Sequence, residues 1–196
     1  VNWIVFDYGD VISAHTDALP TLAKAFGLEV ADFEPHYWAE RVRYDSGGTD
    51  LEYWQSIGRA LDVPVDKAFS DELTSIDVTG WTHVEPDVLE LLEGLHEAGA
   101  ALALLSNASS TFGRWVREQE WAKLFRVKLF SGDLGCLKPD AKIYRILLAE
   151  LGAEPADCLF FDDRQSNVDG ARAVGMRAER WVGVTTAKSG FGSSEE

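Results

Sequence analysis

The chain has 196 residues, 46% hydrophobic and 26% charged, a length and composition that suit one α/β domain with a modest insertion and exclude a disordered or fibrous chain. Its 33 acidic against 18 basic side chains leave a net charge of −15, which repels nucleic-acid backbones and anionic lipid headgroups, so neither is an expected partner. The same field repels small anions, and any phosphate site must therefore carry its own lysine, arginine or divalent metal.

The first residues enter an apolar run, WIVF from Trp3 to Phe6, with no basic segment or long hydrophobic stretch before it. That pattern predicts a buried strand and a protein without a secretion signal, expected to be soluble and cytoplasmic. Asp7, Tyr8, Gly9 and Asp10 follow the run. Residues 13–80 then break any strand rhythm: they hold helical patterns and many aromatics, and they predict an inserted helical subdomain. After it, Asp87 to Ala98 carries one apolar stripe at Val88, Leu91, Leu92 and Leu95, opened by Pro86 and closed by Gly99; this is a helix signature. Strands are predicted at ALALL (Ala101 to Leu105), VKLF (Val127 to Phe130) and LFF (Leu159 to Phe161), with a second amphipathic helix over Ala141 to Leu151. Strand alternating with helix argues for a Rossmann-like, doubly wound parallel sheet with an inserted helical cap. The expected division is 1–12 and 81–188 for the α/β core, 13–80 for the cap, and 189–196, SGFGSSEE, for a frayed tail. Two cysteines, Cys136 and Cys158, lie in no disulfide framework or zinc spacing and are expected to be reduced.

Ligands of open α/β sheets bind at the carboxyl ends of the strands. The residues found there are Asp7, then Ser106 with Asn107, then Ser131 leading to Lys138, then Asp162 with Asp163. Singly these are weak signals, since Asp often caps a helix and Ser-Asn often makes a turn. Jointly they supply a carboxylate nucleophile, a hydroxyl and amide pair, a lysine and an acidic pair at successive strand ends.

The segments FDYGDVI, LLSNAS, GCLKPDAKIY and FFDDRQSNVDGA resemble, in order, the four motifs of the haloacid dehalogenase-like hydrolases, and residues 13–80 resemble that family's helical cap of the first insertion type. The resemblance implies a phosphatase acting on a small phosphorylated metabolite. Asp7 would attack phosphorus, Ser106 and Lys138 would hold the phosphoryl group, and Asp7, the Gly9 backbone carbonyl, Asp162 and Asp163 would bind Mg²⁺. Asp162 is expected to be the more direct ligand of the acidic pair. Asn107 is expected to orient this turn or the phosphate oxygens, and a monomer or homodimer is expected. Physical reasoning agrees: a carboxylate approaches a phosphate only when their charge is offset, and hard oxygen ligands around Mg²⁺ do so. Asn167 and Asp169 are candidates to support the fourth-motif loop.

One departure matters. Family phosphatases usually carry a second Asp two residues after the nucleophile, as general acid and base, and here that position is Gly9. Losing such a group typically costs about 10² to 10⁴ in rate. Asp10 is the nearest replacement, and a substrate with a good leaving group, such as an anomeric sugar phosphate, is the second explanation. A third is a different activity: dehalogenases of the superfamily also lack that Asp, but the Asp162-Asp163 pair argues against one. A catalytically idle binding protein is the remaining alternative. Within the insertion, Arg41 or Arg43 and the aromatics Tyr37, Trp38, Tyr44, Tyr53 and Trp54 are candidates to cover substrate, although aromatics at these spacings more often pack helices.

Overall fold

The computed structural model describes residues 2–187; the tail expected over 189–196 lies outside them. Five strands form one sheet, all neighbours parallel: β1 (Trp3–Phe6), β2 (Ala101–Ser106), β3 (Val127–Phe130), β4 (Cys158–Asp162) and β5 (Arg177–Arg180), in the order β3-β2-β1-β4-β5. Helices accompany them: α1 (Leu19–Ala25), α2 (Val30–Ala39), α3 (Arg41–Asp45), α4 (Asp50–Ala60), α5 (Lys67–Gly80), α6 (Pro86–Glu97), α7 (Ser110–Arg117), α8 (Ser131–Leu134), α9 (Ala141–Leu151) and α10 (Gln165–Ala173).

Alternation along the central strands explains the layering, because successive strand side chains point to opposite faces. Ile4 and Phe6, Leu102 and Leu104, and Leu159 and Phe161 pack on one face with Val88 and Leu92 of α6 and Phe112 and Val116 of α7. Val5, Ala103, Leu105 and Phe160 pack on the other with Ile143 and Leu147 of α9 and Val168 of α10. Both faces are covered, so the central strands read as continuous apolar runs. Truncating a core phenylalanine such as Phe6 or Phe160, both fully buried, would cost about 3–5 kcal/mol.

The strand β5, RAER, had no counterpart among the predicted elements. It is an edge strand in which only Ala178 is buried, so it lacks the apolar run that marks the others, and its place comes from pairing with β4.

Between β1 and α6 lie the five helices α1 to α5, which carry a cluster of their own: Leu22, Phe33, Tyr37, Trp54, Ile57 and Leu73 are all fully buried. Thr49 and Glu52 form a reciprocal capping box at the start of α4. Most of the aromatics in this block pack, as their spacing suggested, since Tyr37, Tyr44, Tyr53 and Trp54 are buried. Cys136 and Cys158 are free and buried. Among the described residues, no helix is long and apolar enough to cross a membrane.

Candidate active site

The parallel register sets the carboxyl ends of β1, β2 and β4 side by side, Phe6 lying opposite Leu104 on one strand and Phe161 on the other. Residue 7 continues the ladder, its backbone N–H donating to the Phe161 carbonyl at 2.9 Å. The Asp7 carboxylate is therefore held by a rigid sheet rather than a free loop. Its Oδ1 accepts from the Tyr8 backbone N–H at 2.7 Å and pairs with Lys138 Nζ at 2.8 Å. Both contacts fall on the same oxygen, and Oδ2 accepts no hydrogen bond among the described residues.

Lys138 comes from the loop between α8 and α9, with a cis peptide to Pro139. A side chain at Gly170 would bring its Cβ within 2.7 Å of the Pro139 carbonyl, so glycine there lets α10 approach this loop closely. The Asn107 amide clasps the lysine backbone from the other side: its Nδ2 donates to the Lys138 carbonyl at 2.9 Å and its Oδ1 accepts from the Lys138 N–H at 2.8 Å. Asn107 lines the cavity, but these bonds make it a positioning group for the lysine loop, where a direct contact to substrate was one expectation. Lys138 Nζ itself is fully enclosed and donates to the Leu105 carbonyl at 2.9 Å and to Asp162 Oδ2 at 2.6 Å, besides its pairing with Asp7. An ammonium has three protons, so all are engaged within the protein.

Asp162 is equally engaged. Its Oδ1 accepts from the Arg164 N–H and the Asn167 side chain, both at 2.9 Å, and its Oδ2 also receives the Asn167 amide at 3.0 Å. Asn167 thus supports the fourth-motif loop, whereas Asp169 bonds Gln165 on the surface. Asp163 is half-buried, faces the cavity and accepts no hydrogen bond to its carboxylate among the described residues. Asp162, expected as the more direct metal ligand, holds the lysine here, and Asp163 presents the open oxygens. Ser106, buried at the end of β2, lines the same cavity.

Three carboxylates crowd around one ammonium, and the titration of each follows from its place. Burial raises the Asp7 pKa to about 7, with Lys138 opposing and Asp162 reinforcing the rise. Burial also acts to raise Asp162, but Lys138, the Arg164 N–H and Asn167 outweigh it and hold this carboxyl below the usual range. Asp163 is raised by burial and then by Asp162. For Lys138 burial acts downward, yet Asp7 and Asp162 together keep the ammonium above its ordinary value. One oxygen from each of Asp7, Asp162 and Asp163 lies within 4.8 Å of the others. A hard divalent cation among them would relieve the repulsion that a single lysine leaves uncompensated, so the residues fit Mg²⁺.

The vacant position at Gly9 has a physical explanation. A Cβ there would stand 3.2 Å from Cζ3 of Trp81, with two further ring atoms inside 4 Å. The edge of the indole crowds any side chain at this position. Gly9→Asp is accordingly expected to lower stability by about 1–3 kcal/mol through overpacking without raising the rate of phosphate release; a gain in turnover at unchanged melting temperature would contradict this. Asp10, at φ 59°, pairs with His15 Nδ1 at 3.1 Å and lines the cavity.

The cavity holds about 470 Å³, the size of a small-molecule site. Its floor is the strand ends, and its opposite wall comes from the helical block through Trp38, Arg41 and Asp45. Arg43, the other arginine considered from sequence, is solvent-exposed near Glu52. Trp81 and Asp45 were not foreseen as lining groups, and nothing in their local pattern marks them, because both reach the site through contacts distant in sequence.

Comparisons with known proteins agree with this geometry. A family model described as haloacid dehalogenase-like hydrolase matches residues 1–175. The chain is 30% identical over 188 residues to phosphatase MT3486 of Mycobacterium tuberculosis, covering 91% of this chain and 86% of that one. It is 26% identical over 179 residues to a phosphoglycolate phosphatase of Pseudomonas putida, covering 86% of this chain and 65% of that relative's length. Among solved structures, the fold is similar to a HAD family enzyme, bt-2542 of Bacteroides thetaiotaomicron, in complex with magnesium and inorganic phosphate, with a TM-score of 0.75 at 18% identity, covering 92% of this chain and 93% of that one. With the family model spanning most of its length and the motif residues gathered at one cavity, the chain belongs to the haloacid dehalogenase-like hydrolase family, as a phosphatase-type enzyme.

Proposed function

We propose that the chain hydrolyses a small phosphate monoester through a covalent intermediate on Asp7, with Mg²⁺ as cofactor and α1 to α5 as a cap over the cavity. The observation that carries this reading is the grouping of Asp7, Asp163 and the Asp162-bound Lys138 at one strand-end floor. The magnesium complex of the similarly folded bt-2542 supports the choice of metal. A bound Mg²⁺ would be held by Asp7, Asp163 and the Gly9 carbonyl and would supply charge neutralisation to the approaching phosphate. Asp7 attacks phosphorus as the bond to the ester oxygen breaks, giving an aspartyl-phosphate and an alkoxide that takes a proton from solvent; water then attacks phosphorus, releasing phosphate and restoring Asp7. Lys138, fixed by its bonds, offsets the charge of the nucleophile, and Ser106 donates to a phosphoryl oxygen.

Because Gly9 supplies no acid, departure of the alkoxide proceeds with little protonation, which favours esters of acidic alcohols, anomeric sugar phosphates among them. Phosphate release from a series of aryl phosphates, with Mg²⁺ or with chelator, tests both points. Release should vanish with chelator, and kcat/KM should fall steadily as the leaving-group pKa rises. Metal-independent release would remove the cofactor, and a flat series would remove the leaving-group argument.

A further inference from the structure

The wall opposite Asp7 contains a charged group whose hydrogen-bonding capacity the fold leaves unused. Asp45, the last residue of α3, is 7% exposed and lines the cavity. Its backbone carbonyl accepts from the buried Ser131 hydroxyl, which in turn accepts from the Ala108 N–H at 2.9 Å. That link runs from the helical block to the ends of β2 and β3, so the position of Asp45 relative to the strand-end floor is set by the core. A second link, Thr111 Oγ1 to Asp50 at 2.8 Å, fastens the next helix in the same way.

The carboxylate itself is incompletely partnered. Arg41 Nε stands 3.3 Å from Asp45 Oδ1 and pairs with it in charge, and that oxygen is sealed from solvent, whereas Oδ2 accepts no hydrogen bond among the described residues and is the oxygen open to the cavity. Arg41 is fixed in this place, because its Nη1 donates to Asp77 and the Tyr37 hydroxyl, both at 2.9 Å. The guanidinium is also packed against three tyrosine rings, with centroids 5.1, 5.2 and 5.7 Å away. An acceptor left open at a ligand cavity is satisfied when a donor arrives. The charge balance decides which donor-bearing molecules suit. Asp45 and Asp77 flank Arg41, and Arg164, exposed on the core side next to Asp163, also acts on the Asp45 carboxyl, favouring its charged form. The charge of Asp45 itself resists a second anionic group placed against it. Trp38 and Trp81 present aromatic surface to the same space, which suits the apolar faces of a ring that carries hydroxyls on its edge.

Resting on the phosphatase reading above, we propose that Asp45, braced by Arg41, is a specificity-determining residue: it accepts a hydrogen bond from a hydroxyl of the substrate's organic part. The substrate is then a neutral polyhydroxylated phosphate ester, and esters bearing a carboxylate, phosphoglycolate included, are disfavoured. The residue reads the leaving group and takes no part in the chemistry at phosphorus.

The test compares kcat/KM for a hexose phosphate and for phosphoglycolate at pH 8, in the wild type, Asp45→Asn and Asp45→Ala, each with Mg²⁺. The ratio of the two constants cancels any general damage from the substitution. The wild type should favour the hexose phosphate by about tenfold or more, and each substitution should lower that ratio about tenfold to a hundredfold, as expected for a hydrogen bond to a charged acceptor. A wild type that prefers phosphoglycolate, or a ratio that both variants leave within about threefold of the wild type, overturns the proposal. Metal-dependent release from p-nitrophenyl phosphate by the wild type reports on the phosphatase reading alone. If it occurs while the ratio is flat, only the role of Asp45 fails; if no ester is hydrolysed, both fail together.

Discussion

Replacing Asp7 by Asn should abolish phosphate release, lowering kcat by about 10⁴-fold or more, as loss of a covalent nucleophile does elsewhere. The amide oxygen is a poor nucleophile, and Asp10, the other carboxylate that follows β1 into the cavity, is paired with His15. Asp163 faces the same cavity from a different strand and is assigned to the metal in this reading. The fold should survive: the Asn side chain still accepts from the Tyr8 N–H, and Lys138 keeps Asp162 and the Leu105 carbonyl as partners. Steady-state kinetics beside a thermal melt separate these outcomes. A folded Asn variant retaining more than about a tenth of wild-type turnover would mean that another group attacks phosphorus, and the covalent route through Asp7 would have to be abandoned.

Lys138→Met should damage stability and activity together. The ammonium is fully enclosed and joins two carboxylates to the end of β2. Removing one partner of a buried ionic group leaves uncompensated charge and typically costs about 3–5 kcal/mol, which for a domain of this size lowers the melting temperature by roughly 6–20 °C. Asp7, already raised to about 7, would soften that loss by taking up a proton, at the expense of its reactivity. Turnover should fall by at least about 10²-fold, the usual effect of removing a preorganised charge from a reacting centre. Added Mg²⁺ should recover part of the melting temperature, because a cation among the remaining acids replaces some of the lost compensation. A Met variant melting at the wild-type temperature in the presence of chelator would show that the three acids do not depend on this lysine.

The legible part of the molecule was the part encoded locally. Apolar runs at WIVF, ALALL, VKLF and LFF mark four of the five strands, since a strand covered on both faces can accept few polar residues. Once those strands are parallel, Asp7, Ser106 and the Asp162-Asp163 pair must gather at one edge, so their placement together follows from the pattern. Lys138, which follows β3 on a loop, needed the motif resemblance as well. The edge strand β5 escaped because one buried residue, Ala178, produces no apolar signal, and pairing with β4 supplies what propensity does not.

What the sequence by itself determined, then, is the sheet, its faces and the kinds of group at the strand ends, because periodic burial is written into neighbouring residues. Only the tertiary structure decided what each of those groups does. It turned Asp162 inward to Lys138 and left Asp163 open, joined Asn107 to the lysine backbone, filled the space beside Gly9 with Trp81, and set Asp45 across the cavity through Ser131. Each of these is a contact between separate elements, fixed by the packing of one layer on another. An orientation of that kind depends on which neighbours the packing brings together, and no spacing along the chain records it.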